Sequence, residues 1–237
     1  MNILRYYNAI KTRAFTHLGK HKGFRTNRKI IVIESDDWGS IRMPSKETYY
    51  ALLKAGLRVD QCHYCKNDSI ATVDDFNNLF NILLQFKDKN GNPPIITANS
   101  VVANPDFTKI KEVNYEKYFY EPITETLNKY PKTDFSLWKR GMELNIFHPQ
   151  FHGREHLNIF RWMNKLKEGS KEVHTAFDYD FFGISKTISN EKNPSFMAAY
   201  DADSEAELIE MKKIIEQGLS LFNYIFSNKQ LQQTGSS

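Results

Sequence analysis

The chain has 237 residues, a length that fits one large α/β domain or two small ones. Apolar residues make up 41% and charged residues 25%, which is a globular composition and excludes a disordered, collagen-like or disulfide-stapled chain. A mean hydropathy of -0.56 and the absence of any long apolar run exclude a membrane-spanning helix. The net charge of +4 hides an asymmetry, because residues 1–29 carry eight Lys or Arg and no acid, so the remainder stands at -4 (4 minus 8). The basic pI is therefore a property of an arm, and no nucleic-acid partner is expected of the body.

In that arm Ile3, Tyr7, Ile10 and Ala14 fall at helical spacing, so residues 1–28 are expected to form a basic amphipathic helix. Met1 opens a polar, tyrosine-bearing segment rather than an apolar signal core, so a cytoplasmic chain is expected, peripheral to a membrane at most through this arm. The β-branched run Lys29–Glu34 then predicts a buried strand that ends in Ser35-Asp36-Asp37-Trp38-Gly39. Helices are predicted from Lys46 to Ala55, closed by Gly56, and from Val73 to Lys89, opened by Thr72 with Asp75 at capping-box spacing. Pro93-Pro94 release a second strand, Ile95–Ala98, and a helix follows from Ile123 to Tyr130.

Met142–Phe147 reads as the third strand and runs into His148-Pro149-Gln150-Phe151-His152-Gly153-Arg154-Glu155-His156, before an amphipathic helix from Leu157 to Lys167. Residues 168–194 read as an insertion or a poorly marked strand around Phe177–Phe182. Phe196–Tyr200 is predicted as the fourth strand, and Ser204 with Glu207 caps a long final helix. Alternating strands and helices imply parallel strands joined by crossovers, with functional groups expected past the C-terminal strand ends.

Two sets of residues at such ends carry chemistry. His148 and His152 are four apart, so on a helical turn or tight loop both rings face one side, and a carboxylate from Asp36 or Asp37 completes a three-ligand metal site. Adjacent acids on a turn point in different directions and can divide the tasks of ligand and general base. Cys62-His63-Tyr64-Cys65 lacks the further ligands of a zinc site and the βαβ context of a redox motif, and reads as ordinary reduced thiols in a loop. The 32 aromatics would suit sugar stacking, with Trp38, Phe151 and Trp162 near the motifs, though aromatics are first of all core material.

Glu34-Ser35-Asp36-Asp37-Trp38-Gly39 followed by His148-Pro149-Gln150-Phe151-His152-Gly153 resembles the first two motifs of the polysaccharide deacetylases, metal-dependent carbohydrate esterases on a distorted (β/α)7 barrel. The resemblance covers residues 29–237 and implies Asp36 as catalytic base, with Asp37, His148 and His152 holding one divalent metal, zinc or else cobalt, nickel or manganese. It implies an acetylated glycan or polysaccharide as substrate. Trp38, Arg154, Glu155 and His156 are expected to bind substrate or support the ligands. The family's Arg-x-Pro motif is spelled here by Arg42-Met43-Pro44, ahead of the histidines rather than after them, and Arg154 is the substitute considered. The family's late Leu-x-His, which supplies a general acid, has no counterpart after His174, so the barrel is expected to lack its last units at the C-terminus. The alternatives are a catalytically inactive carbohydrate-binding protein of the same fold and a metal-dependent phosphoesterase.

Overall fold

A computed structural model describes residues 11, 15, 16, 25–191 and 193–227. The chain divides into two units at Val32/Ile33. In the first, Lys11, Phe15 and Thr16 are helical; most of the amphipathic-arm expectation lies outside the described residues. The second unit carries the α/β architecture.

Its centre is a parallel sheet of three strands in the order β1 (Ile33–Trp38), β2 (Ile96–Val101) and β5 (Phe147–Gly153). A short antiparallel pair, β3 (Ala103–Pro105) and β4 (Tyr120–Pro122), stands beside it. The helices are α1 (Lys46–Lys54), α2 (His63–Asn67), α3 (Val73–Gln85), α4 (Phe107–Glu112), α5 (Ile123–Lys129), α6 (Ser136–Glu143), α7 (Ile159–Lys167), α8 (Lys171–Phe177) and α9 (Glu205–Phe226). Capping residues set several starts: Thr72 and Asp75 make the full capping box of α3, and Ser204 accepts from the Glu207 N–H at the head of α9.

In register, Ile33, Ile96 and Phe147 form one row across the sheet, and Ser35, Ala98 and Pro149 another on the same face. That face is covered by Phe76, Phe80 and Leu83 of α3, Leu137 and Trp138 of α6 and Ile225 of α9. Between these rows lie Glu34, Thr97 and His148, and the alternation of a strand turns them to the opposite face. Glu34, Asp36, His148 and Gln150 are exposed there, and Thr97 and Asn99 are half-buried. One face of the sheet is thus apolar and helix-covered, the other polar and open. A second core gathers Leu52, Trp162, Leu166, Phe177, Phe181, Phe182, Ile184 and Phe196 from α1, α7, α8 and the following loop. Among the described residues no closed barrel forms, and no helix is long and apolar enough to cross a membrane.

Several elements differ from the sequence reading, and four of the differences have a plain local reason. β1 starts at Ile33, not Lys29, because its ladder begins where Ile96 faces Ile33. Met142 belongs to the end of α6, since Leu137, Trp138 and Gly141 recur at helical spacing and turn into the sheet-covering core. Asn145 then leaves the helix with a φ of 53°, and the strand follows as Phe147–Gly153, taking the histidine motif into the strand itself. Phe196–Tyr200 is no strand. Its backbone is used in capping: the Asn158 N–H donates to Phe196 O at 2.6 Å, and Asn158 Nδ2 donates to Ala198 O and Asp201 O. The Phe177–Phe182 segment closes α8 in a turn, with Asp180 at a φ of 54° and Phe177, Phe181 and Phe182 all buried.

Asn104 ties the two sheets together at the turn after β1. Its side chain, 1% exposed, accepts from the Ile41 N–H at 3.0 Å and donates to Gly39 O at 2.8 Å. Removing it leaves two buried backbone groups without partners, at about 1 to 3 kcal/mol each. Asn104→Ala is expected to lower the urea midpoint by an amount equivalent to about 2 to 3 kcal/mol with an unchanged slope; a change below about 0.5 kcal/mol would show that the turn is held by other contacts.

Candidate metal centre

Both strands that carry the motifs are distorted at their C-terminal ends. The β1–β2 ladder shifts register between Ser35 and Trp38, and the β2–β5 ladder shifts between Ser100 and Val101. Such bulges re-aim side chains at the rim of a sheet. At the first, Asp37 adopts a φ of 63°, unusual for a residue with a Cβ, and its carbonyl accepts from the Ser40 N–H at 3.0 Å. Arg42 Nη2 donates to Asp37 Oδ2 at 2.7 Å, which leaves Oδ1 to face the end of β5.

His152 Nε2 lies 3.3 Å and His156 Nε2 3.7 Å from that Oδ1. The three ligand atoms sit within 4.8 Å of one another, and the two rings stack at 5.7 Å between centroids with 23° between their planes. Asp37 Oδ1 and His156 Nδ1 are buried and make no hydrogen bond within the described chain. Burial lowers the pKa of His156, reinforced by Arg42 and His152 and opposed by Asp37, so its imidazole is held toward the neutral form that binds metals. A carboxylate oxygen and two imidazole nitrogens, convergent and short of protein partners, are a donor set that suits a divalent transition ion with positions left for water. Such a group could hold a metal ion.

His156 and not His148 joins Asp37 and His152. The spacing of four occurs twice in this segment, at 148/152 and at 152/156, and the backbone distinguishes them. Along β5 a separation of four residues spans roughly 13 Å at about 3.3 Å per residue, whereas a turn brings the same spacing together. His148 is accordingly exposed on the open face, in the row of Thr97 and Glu34. The turn that returns His156 starts at Gly153, whose φ is 135°, and a Cβ there would meet Tyr200 Oη at 2.9 Å. That glycine is the signal in the sequence that the second pair straddles a turn.

Asp36 is exposed on the polar face, where its Oδ1 accepts from Asn99 Nδ2 at 2.6 Å. Trp38 turns the other way and packs on Phe147 at 4.9 Å, Phe76 at 5.4 Å and Trp138 at 6.1 Å between ring centroids. Arg154 and Glu155 are spent on each other: Nε and Nη2 of the arginine donate to the two carboxylate oxygens at 2.6 Å, and Nη1 donates to Gln217 of α9. The guanidinium also lies 4.1 Å from the Tyr120 ring centroid. At Gly218 a Cβ would come within 2.8 Å of Phe151 and 3.0 Å of Arg154, so this close approach seats α9 against the turn. The pair braces the segment between His152 and His156 and touches no ligand atom of the cluster. Phe151, half-buried, packs on Phe222, and Trp162 is fully buried against Phe177, so Trp162 offers no face to a sugar. Cys62 Sγ caps α2 by accepting from the Cys65 N–H, and burial pushes the Cys65 thiol far up, which keeps it protonated.

Comparison with protein-family models, curated proteins and solved structures finds nothing that matches this chain.

The cluster makes a direct test of ligand identity. Zinc affinity, measured by competition with a chromogenic chelator, is expected to fall at least about 100-fold in Asp37→Asn and in His156→Ala and to stay within about twofold in His148→Ala. Loss of affinity in His148→Ala with retention in His156→Ala would return the site to the first histidine pair.

Proposed function

We propose that this chain is a metal-dependent hydrolase that removes N- or O-acetyl groups from a glycan, with the metal held by Asp37, His152 and His156. The observation that carries the proposal is the convergence of Asp37 Oδ1 with two imidazole nitrogens next to a second, solvent-facing carboxylate on Asp36. The resemblance of the Asp36-Asp37 segment to the polysaccharide deacetylases supports the same reading. In this proposal the three parallel strands, with helices on one face, correspond to β/α units of a (β/α)7-type barrel.

A divalent cation bound there supplies the charge that polarises an acyl carbonyl and acidifies a water molecule. The residues of the chain supply the rest. Asp37 is fixed by Arg42, so its negative charge is oriented before any ligand arrives. Asp36 stands outside the cluster with its Oδ1 tied to Asn99, which orients the carboxylate without neutralising it. It takes the proton of the attacking water as the new C–O bond forms at the acyl carbon. As the acyl C–N or C–O bond breaks, the same carboxyl returns that proton to the leaving nitrogen or oxygen, so acetate and the free sugar group are the products. As metal ligands, His152 and His156 would contribute ring-nitrogen lone pairs rather than protons.

The test is acetate release from tetra-N-acetylchitotetraose and from acetylated xylotetraose by the zinc-loaded protein. Turnover is expected with at least one of them, abolished by chelation, and reduced roughly 10²- to 10⁴-fold by Asp36→Asn with the zinc still bound. Binding without acetate release would favour an inactive glycan-binding protein, and hydrolysis of a phosphate ester in place of both substrates would favour a phosphoesterase.

A further inference from the structure

Beside the two aspartates a cleft of about 540 Å³ opens between the turn after β1 and the segment that runs from α2 to the start of α3. Asp36, Asp37, Ser40 and Arg42 line one wall, and Tyr64, Asn67, Asp68 and Ser69 line the other. The first wall is rigid. Ser40 is 5% and Arg42 9% exposed, and the arginine is tied to Asp37. Tyr64, in contrast, is 59% exposed on α2 and not needed by either core.

The arginine links the two walls. Its guanidinium carbon lies 5.4 Å from the centroid of the Tyr64 ring while its Nη2 holds Asp37 Oδ2 at 2.7 Å. A chain of contacts therefore runs from the metal cluster through Arg42 to an open aromatic ring. A large exposed ring costs apolar surface in water, and its cation partner fixes its orientation. Next to it are the groups that hydrogen-bond hydroxyls: Asn67, whose amide also donates to His63 O at 2.9 Å, with Asp68 and Ser69. An oriented aromatic face with carboxylate and amide groups at its edge suits a pyranose ring, which offers C–H bonds on its faces and hydroxyls around its rim.

The charge of the cleft narrows the class of sugar. Arg42 is matched by Asp37, while Asp36, Asp68 and Asp75 add three carboxylates to the lining. A uronate, sulfate or phosphate on the bound ring would meet like charge, whereas a neutral or amine-bearing ring would not.

Building on the deacetylase reading, we propose that this cleft is the subsite for the sugar ring next to the one that reacts, that Tyr64 is its stacking platform, and that the subsite takes neutral or amino sugars and rejects anionic ones. Tyr64 acts here on recognition and leaves the metal to Asp37, His152 and His156.

Isothermal calorimetry on the full chain loaded with zinc tests this with tetra-N-acetylchitotetraose and acetylated xylotetraose as neutral probes and an oligogalacturonate tetramer as the anionic one. At least one neutral tetramer is expected to bind and the galacturonate to bind at least about tenfold more weakly. Tyr64→Ala, an exposed position in a helix that tolerates alanine, is expected to weaken the neutral probe roughly tenfold, Tyr64→Phe to keep it, and Tyr224→Ala, an exposed tyrosine of α9, to leave it unchanged. Zinc affinity should be equal in all four proteins. No binding of either neutral tetramer, equal binding by Tyr64→Ala, preference for the galacturonate, or a loss of zinc in Tyr64→Ala would each overturn the proposal. Tyr64-dependent binding without acetate release would leave the subsite standing and overturn the deacetylase reading instead, so the two failures are distinguishable.

Discussion

The ion pair between Arg42 and Asp37 is the contact on which the candidate site depends. Asp37 sits in the left-handed region at a φ of 63°, a conformation that costs a residue with a Cβ roughly 1 to 3 kcal/mol and persists where surrounding contacts fix it. The Ser40 N–H holds its carbonyl, and Arg42 holds one carboxylate oxygen. The other oxygen then has one direction left, toward His152 and His156. The same twist sends Asp36 to the open face and Trp38 into the helix-covered core, so one backbone feature sorts three consecutive side chains into three environments.

The rest of the unit keeps that turn and its partner strand in place. Asn104 bonds to both Gly39 and Ile41, which fixes the chain just past Asp37 from within the antiparallel pair β3–β4. On the other side Arg154 O accepts from the N–H groups of Val102 and Ala103, so the turn after β5 is stitched to the end of β2. The Arg154–Glu155 pair, almost fully buried, adds Gln217 of α9. Breaking a buried pair by removing one partner leaves an uncompensated charge, so these groups act as fixed struts between the two histidines and the scaffold.

Much of this was legible in the sequence, and the reasons for the rest are physical. Ser35-Asp36-Asp37 at a strand end, the α3 capping box at Thr72 and Asp75, and the Ser204 cap of α9 are local signals, read from residues a few positions apart, and all three appear where expected. Phe196–Tyr200 looks like a strand by composition, yet a strand exists through its neighbour, and here the neighbour is the head of α7. The exchange of His148 for His156 has the same origin. Spacing of four says that two rings share a side on a helix or a strand alike, but whether they meet depends on whether the chain is extended or turned between them. The left-handed exit of α6 at Asn145 starts the strand at Phe147, so His148 and His152 lie on extended chain and the turn falls at Gly153. Arg42 and Tyr64 stand in segments that the sequence singles out, but their roles depend on contacts between a loop and a short helix, which no spacing records.

The central claim is that Asp37, His152 and His156 hold one divalent ion. X-ray absorption at the zinc edge of the loaded protein tests it most directly, because the ligand shell is read from the metal itself. The account predicts one zinc per chain with two imidazoles at about 2.0 to 2.1 Å, the remaining ligands being oxygen, and loss of one imidazole from the spectrum in His156→Ala. A shell containing sulfur, or two imidazoles that survive in His156→Ala, would contradict it.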